Sequence, residues 1–422
     1  MKLFSLLVIA IFLFSTTANL YAQANLTEEN KIKIILKLDS LMLSDYVNLE
    51  KAKIVHEKLQ ELIKDSRFPS IKDERTLENV VNMYLQQVTA DAHLRFYYDK
   101  KKYELFLKPQ EEIEKGEAEQ YSKINFGLQK IEILPGNIGY LKINKFQNLN
   151  NVIETAAGAM EFLRNSDAII IDLRNNGGGD GRTGRFFLNY FVKDTSNAQL
   201  IDLPIPESFE LFQEDVQLCV LIGKGTFSAA EGFTKDVLEY KRGIAIGEQT
   251  IGGGHSGGSV SLHDGFLVFL PTEVSSSEIE GKGITPSIAV NERDALIKAQ
   301  EIILTDLQSK AVDPDEKASY TWFLESILAE SGKITVSKKI LNSYTGTFEG
   351  ENEILLLNSE LYMKRGGQLF KLLPISNNYF VISNFDDFGK GNARIRFESK
   401  NQAVFILNQG IGIMEKGFRK LK

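Results

Sequence analysis

Two segments of this chain hold residues whose types and order could do chemistry. The first, Gly225-Thr226-Phe227-Ser228-Ala229-Ala230-Glu231, stands between an apolar run ending at Ile222 and a helical pattern running to Tyr240. A serine at a strand-to-helix junction presents its hydroxyl at the positive end of the helix, where the amide of Ala229 is placed to stabilise an oxyanion. The same residues fit a purely structural role, with Ser228 as an N-cap and Glu231, three positions on, completing a capping box. The second segment runs from Ala168 through Asp172, Arg174 and Asn176 into Gly177-Gly178-Gly179. A strand ending in three glycines lets the backbone approach a ligand closely and leaves N–H groups to face developing negative charge. A plain turn would use the same glycines. No P-loop Gly-Lys-Ser/Thr follows.

The elements that must position these segments can be read from periodicity. From Thr27 to about Val88, apolar residues such as Ile35, Leu38, Val55, Leu59, Leu77, Val81 and Leu85 recur at helical spacing. Thr27, Asn48 and Asp73 are placed as N-caps, each with acidic residues in or near the following turn. The glutamate-rich stretch Lys108 to Lys123 reads as a solvated connector. Between Asn137 and about Val290 short β runs alternate with helices. Strands are expected at Ile138 to Ile143, Ala168 to Leu173, Val216 to Ile222 and Ile244 to Ile246, with helices at Val152 to Leu163 and Ser228 to Tyr240. Val260 to Leu262 and Phe266 to Leu270 form a hairpin turning at Asp264-Gly265. Such alternation argues for an α/β core. A linker over Gln308 to Ser319 leads to a short helix around Trp322 to Ala329, and after Ser337 six strand-like runs separated by Gly, Asn and Asp suggest a small antiparallel β domain.

The 422 residues, 43% hydrophobic and 25% charged, have the proportions of a globular protein with room for two or three domains. The first residues, with Lys2, an apolar run Leu3 to Phe14 and Ala22-Gln23-Ala24, have the layout of a secretory signal peptide. The protein is therefore expected to be exported, periplasmic or extracellular, without a stable membrane span once the leader is cleaved. Its single cysteine, Cys219, permits no internal disulfide. A formal charge of -7 argues against nucleic acid as a partner. No His, Cys or carboxylate cluster has metal-ligand spacing, so neither a metal nor a cofactor is expected.

The order of four motifs brings a resemblance. Asp172-Leu-Arg-Asn-Asn-Gly-Gly-Gly, then Thr226-Phe-Ser-Ala-Ala-Glu, then Gly247-Glu248-Gln-Thr-Ile-Gly-Gly-Gly, then Glu280-Gly-Lys-Gly-Ile-Thr-Pro286 resembles the S41 peptidases. These are the tail-specific, or C-terminal processing, proteases, together with tricorn core and interphotoreceptor retinoid-binding protein modules. The likeness covers about Thr27 to Val290. It implies a crotonase-like (ClpP/crotonase-type) α/β spiral core, here with an N-terminal helical module and a small C-terminal antiparallel β domain. The expected boundaries are 1–24 for the signal peptide, 25–105 for the helical module, 106–310 for the catalytic core, 311–336 for the linker and short helix, and 337–422 for the β domain.

The resemblance also implies a site. Ser228 matches the nucleophile, with oxyanion donors at the amide of Ala229 and an amide of Gly177 or Gly178. The processing branch supplies its base from a lysine in Phe-Gly-Lys-Gly, but here the stretch reads Ile251-Gly-Gly-Gly-His255. The tricorn-like and retinoid-binding-like branch has an Asp-x-His motif and a glutamate, which this chain matches with Asp91-Ala92-His93 and Glu280. His93 is then the base and Glu280 the group that orients it. In that branch a serine precedes the histidine; here the position is Ala92. His255 is the alternative base. His56 reads as a surface residue, His263 as structural, and Lys235 as pointing to solvent or an ion pair. The expected function is a serine endopeptidase acting on polypeptides through an acyl-enzyme. A non-catalytic hydrophobic-ligand module of the retinoid-binding type, or a hydrolase of esters and small peptides, would use the same groove. About forty residues between Phe96 and Asn137 leave no room for the PDZ domain usual in processing proteases.

Overall fold

The computed structural model describes residues 26–192, 211–385, 392–408 and 413–421; the expected signal peptide lies outside them. The chain divides into two compact units, neither of them one stretch of sequence: residues 1–90, 94–108 and 258–270 in the first, and 91–93, 109–257 and 271–422 in the second.

The first unit is built on α1 (Glu28–Asp45), α2 (Leu49–Lys64) and α3 (Glu74–Thr89). Their caps are the expected ones: Thr27, Asn48 and Asp73 accept from the amides of Asn30, Lys51 and Thr76 at 3.2, 3.0 and 2.9 Å. Each cap satisfies a donor that the first helical turn cannot. The periodic apolar residues bury together with Phe96, Phe266 and Val268. Phe96 lies on β1 (Arg95–Tyr98), which is followed by α4 (Lys100–Phe106) and pairs antiparallel with residues 266–269. In the second unit, the stretch expected to be a solvated connector is instead the helix α5 (Gln110–Ser122), which buries no residue. Its glutamates, glutamines and lysine are good helix formers, so high charge here marks a solvated helix.

The second unit contains a six-stranded sheet in the order β2 (Leu128–Leu134), β3 (Ile138–Ile143), β4 (Ala168–Asp172), β5 (Gln217–Ile222), β6 (Gly243–Gly247) and β9 (Ile288–Ala289). The first pair is antiparallel and the rest parallel. The intervening strands β7 (His255–Ser261) and β8 (Phe266–Val274) form the hairpin. Helices α6 (Leu149–Leu163), α7 (Gly181–Leu188) and α8 (Ala229–Glu239) connect or follow the central strands. Alternate residues of those strands face opposite ways and both faces are covered. Ile169, Ile171 and Val220 join the cluster holding Val152, Phe187 and Phe233. Ile170, Cys219 and Leu221 join the one holding Ala299 and Ile303 of α9 (Ala295–Lys310). Burial pushes the Cys219 thiol up to about 12, which keeps it an unreactive packing residue.

The expected linker shrinks to a few residues, because α10 (Pro314–Glu330) starts directly after its cap, Asp313. That carboxylate accepts from the amides of Asp315 and Glu316 at 2.7 and 3.3 Å, and proline suits the first helical position because it has no N–H to satisfy. After α11 (Lys338–Ser343) come eight antiparallel strands rather than six, each paired with the next: β10 (Gly346–Phe348), β11 (Asn352–Leu357), β12 (Glu360–Arg365), β13 (Gln368–Pro374), β14 (Tyr379–Ile382), β15 (Ala393–Ser399), β16 (Gln402–Asn408) and β17 (Ile413–Arg419). A bridge from Phe348 to Lys420 curls the sheet into a near-barrel around Phe348, Phe380 and Phe397.

Arg394 ties β15 to α10. Its buried guanidinium lies 3.6 Å over the Trp322 ring and donates to Glu325 Oε2 at 2.6 Å, Ser326 Oγ at 3.0 Å and the Trp322 carbonyl. Replacing Arg394 with Ala should cost about 2–4 kcal/mol, from the lost cation–π contact and hydrogen bonds. Because Trp322 is the chain's one tryptophan, the same variant should show red-shifted emission in the folded protein. Unchanged emission would mean the clamp does not hold the ring.

Candidate active site

Strands β4 and β5 are parallel neighbours with Asp172 opposite Leu221, so the loops after both leave the same edge of the sheet. The first loop is anchored by the buried Asp172 carboxylate, which accepts from Tyr140 Oη at 2.6 Å and from Arg174 Nε and Nη2 at 2.9 and 2.6 Å. Burial works to raise its pKa, but the Arg174 and Tyr140 hydrogen bonds outweigh this and hold it below the usual carboxylate range. The chain then turns at buried Asn176, whose carbonyl accepts from the Phe227 amide at 3.0 Å and whose Oδ1 accepts from the Gly178 amide at 2.9 Å. Gly178 has φ +82°, and a Cβ there would lie 2.7 Å from Ser228 Cβ and from the Phe227 carbonyl oxygen. Only glycine lets the two loops touch at that point.

The second loop begins with Thr226, which accepts from the Gly223 amide at 2.9 Å and donates to the Leu173 carbonyl at 2.8 Å. Ser228 follows with φ 57° and ψ -123°. A non-glycine residue held there is strained, and the surroundings must over-determine it. Glu231 does much of this. Its fully buried carboxylate accepts from the Ser228 amide at 2.7 Å, Thr250 Oγ1 at 2.5 Å, the Gly252 amide at 2.7 Å and the Gly253 amide at 2.8 Å. The capping contact expected between Ser228 and Glu231 is therefore present, and the same carboxylate also fastens the loop 250–253.

That loop carries the third wall. A Cβ on Gly253 would lie 2.3 Å from Phe227 Cε2 and 2.5 Å from His93 Cε1, so the backbone here presses directly on both rings. The rings pack with centroids 4.3 Å apart. His93 Nε2 stands 2.9 Å from Ser228 Oγ. Burial draws the His93 pKa below the ordinary 6.5, Asp91 opposes that, and His255 and Lys145 add to it. The result is a neutral imidazole at neutral pH, able to take a proton from the hydroxyl.

Of the two candidate bases, the structure brings His93 to Ser228 and turns His255 elsewhere. His255 Nδ1 is 2.7 Å from Asp91 Oδ2, while Asp91 Oδ1 accepts from the His93 amide at 2.9 Å. Glu280, expected to orient His93, is placed differently: Oε2 accepts from the Gly254 amide at 2.7 Å and Oε1 is 3.7 Å from His255 Nδ1. The reason is local, since a Cβ on Gly254 would lie 2.5 Å from the Glu280 backbone nitrogen, a close approach that sets Glu280 against the residue next to His255. The contact of Asp91 to the His93 loop was not foreseen, although Asp91 stands in the same Asp-x-His motif. Asp91, His255 and Glu280 offer ligand-type atoms within 4.8 Å of one another, a grouping that sequence spacing could not reveal.

Among the expected oxyanion donors, the Ala229 amide opens α8 and has no acceptor within the helix. The Gly178 amide is occupied by Asn176, and Gly177 is exposed. It is Gly179, which the reading passed over, that lines the groove with Ser228 and Ala229. This groove encloses about 580 Å³, with Leu188, Phe233 and Ile279 on its apolar side.

Residues 137–290 match the family model described as Peptidase family S41, and residues 24–131 match the N-terminal domain of Peptidase_S41 in eukaryotic IRBP. A "Probable CtpA-like serine protease" of Staphylococcus epidermidis is 29% identical over 263 residues, 60% of this chain and 48% of that protein. One of the same name from Staphylococcus saprophyticus is 29% identical over 168 residues, 37% of this chain and 34% of that protein. The chain thus spans a third to a half of the length of these relatives. A lipoprotein from Streptococcus agalactiae overlaps with a TM-score of 0.44 at 15% identity, covering 66% of this chain and 97% of that one; a likeness this loose carries no argument.

Replacing Glu231 with Ala would leave its donors unpaired in a buried place, at a cost of roughly 3–5 kcal/mol. Thermal unfolding should show the loss. Glu231→Gln, which keeps the shape but points an NH2 at some of the donors, should lose less. Equal stability of wild type and Glu231→Ala would show that the carboxylate does not hold the two loops together.

Proposed function

Because the chain belongs to peptidase family S41, we propose that it is a serine-type endopeptidase that cleaves polypeptides through an acyl-enzyme, with Ser228 as nucleophile and His93 as base. The observation that carries this reading is the 2.9 Å approach of His93 Nε2 to Ser228 Oγ at the start of α8. Ser228 Oγ attacks the peptide carbonyl carbon while its proton passes to Nε2. The C–N bond then breaks, Nε2 returns the proton to the leaving amine, and water releases the acyl group by the same route. The Ala229 amide faces the oxyanion. The second donor comes from the Gly177–Gly179 turn, and a contribution from Gly178 itself requires its bond to Asn176 Oδ1 to yield when substrate enters. Asp91 holds the His93 loop, and Glu280 acts one contact removed, through Gly254 and His255.

The same reading assigns the six-stranded sheet and its helices to a crotonase-type spiral and keeps the segments 25–105, 106–310, 311–336 and 337–422 as helical module, catalytic core, connector and accessory β domain. It takes the protein to be exported on the leader 1–24, on the strength of Lys2, the apolar run and Ala22-Gln23-Ala24. No helix of the described residues is long and apolar enough to cross a membrane.

A fluorophosphonate probe tests the mechanism on the mature protein. Wild type should label, Ser228→Ala should not, and His93→Ala should label ~10³-fold more slowly or worse. His255→Ala should stay closer to wild type than His93→Ala. A folded wild type that never labels would replace the peptidase by the hydrophobic-ligand module.

The pH profile gives a second check. Since burial lowers the His93 pKa, the neutral, proton-accepting form persists to lower pH than in a free imidazole. The labelling rate should rise with pH to a plateau through a midpoint below 6.5. A midpoint above 6.5 would contradict a buried His93 as the base.

A further inference from the structure

The groove beside Ser228 carries an arginine whose guanidinium hydrogen-bonds to none of the described residues. Arg185, on α7, lines the groove half-buried, and its guanidinium has no hydrogen bond or ion pair with any described residue. Its neighbours differ. Arg182, a turn earlier, is held by Asp180 at 2.7 Å, and Lys235, across the groove on α8, is committed to Glu239 and to Glu278 at 3.4 Å. Arg185 Nη1 folds back along α7 and would sit 3.5 Å from a Cβ on Gly181. Gly181 follows two residues after Gly179, in the turn whose Gly178 presses on Ser228. The guanidinium thus lies beside Gly181, which lines the same groove as Gly179 and Ser228.

The facing charges on α8 leave Arg185 available. Glu239 is taken up by Lys235. Asp236 also lines the groove without a side-chain partner among the described residues. Burial pushes its carboxyl up to about 6, Lys235 and Arg185 pull it down and Glu239 adds to the rise; it forms no ion pair with either cation. A half-buried guanidinium with no hydrogen bond to the described residues has lost hydration without recovering it from them, and its planar fork matches a carboxylate.

We propose that Arg185 is a specificity-determining residue of the groove, binding the carboxylate of an acidic substrate side chain. This rests on the peptidase reading of the same groove and adds what the substrate must carry.

Two pairs of internally quenched peptides test this: Glu against Gln at positions flanking the cleaved bond, and, as the control for recognition of the chain end, a free C-terminal acid against its amide. Wild type should prefer the Glu-bearing member of the first pair, and a preference confined to the second would overturn the assignment. Arg185→Gln should lower kcat/KM for that member by ~10–100-fold, in keeping with loss of a charged hydrogen-bonded contact, and leave its neutral partner nearly unchanged. Arg185→Lys should restore part of the preference. Fluorophosphonate labelling of Arg185→Gln should match wild type; a labelling loss would place Arg185 in the catalytic machinery and overturn the assignment. So would equal losses on both members, or a wild type indifferent to the carboxylate. Should wild type neither label nor cleave, the peptidase reading fails separately. Fluorescence anisotropy of the same peptides on Ser228→Ala protein still decides the carboxylate claim, by whether binding of the acidic member needs Arg185.

Discussion

The Glu231 carboxylate is the contact on which the site's geometry depends. A fully buried ion is tolerated only when its lone pairs are met by donors, and here they are met by Ser228, Thr250, Gly252 and Gly253. One set of hydrogen bonds thus does two things. It holds Ser228 in a backbone conformation that a non-glycine residue adopts only under constraint. It also draws the loop 250–253 against Phe227 and His93, so that the backbone of Gly253 limits where the imidazole can go. A residue that reads in sequence as the last member of a capping box is the node joining serine, loop and histidine.

The parallel sheet supplies the other half of the constraint. In-register pairing of β4 and β5 sends two loops off one edge. The Asp172–Arg174–Tyr140 cluster fixes the root of the first, and Thr226 bonds the root of the second to Leu173. Asn176 and Gly178 then bring the two loops into contact. The groove inherits its lining from this arrangement, with α7 and α8 starting at the two loops, and carries Arg185, which hydrogen-bonds to none of the described residues.

Several features were legible because they are local. The caps Thr27, Asn48 and Asp73 announce themselves by residue type and by the periodic run that follows. The central strands show as short apolar blocks, and Ser228 shows as a serine between a strand and a helix. Other features were misread because one local pattern serves two outcomes. The charged stretch 108–123 is a helix without a buried face, and the segment before Trp322 is helical from Pro314 onward. Neither has an apolar stripe to separate a solvated helix from a solvated loop.

By itself, the sequence determined the α/β alternation, the helix starts and the placing of Ser228 at the head of a helix, since periodicity and capping act over a few residues. It also offered His93 and His255 as candidate bases, through a motif and a glycine loop. Only the tertiary structure brought His93 to Ser228 and His255 to Asp91, set Glu280 beside His255 and Gly254, and turned the Gly178 amide to Asn176. It also closed eight strands through Phe348 and Lys420. Apart from the Gly178–Asn176 turn, these outcomes join residues tens of positions to more than a hundred apart, and their distances follow from how sheet, glycine contacts and buried carboxylates pack together, which no local pattern of residues encodes.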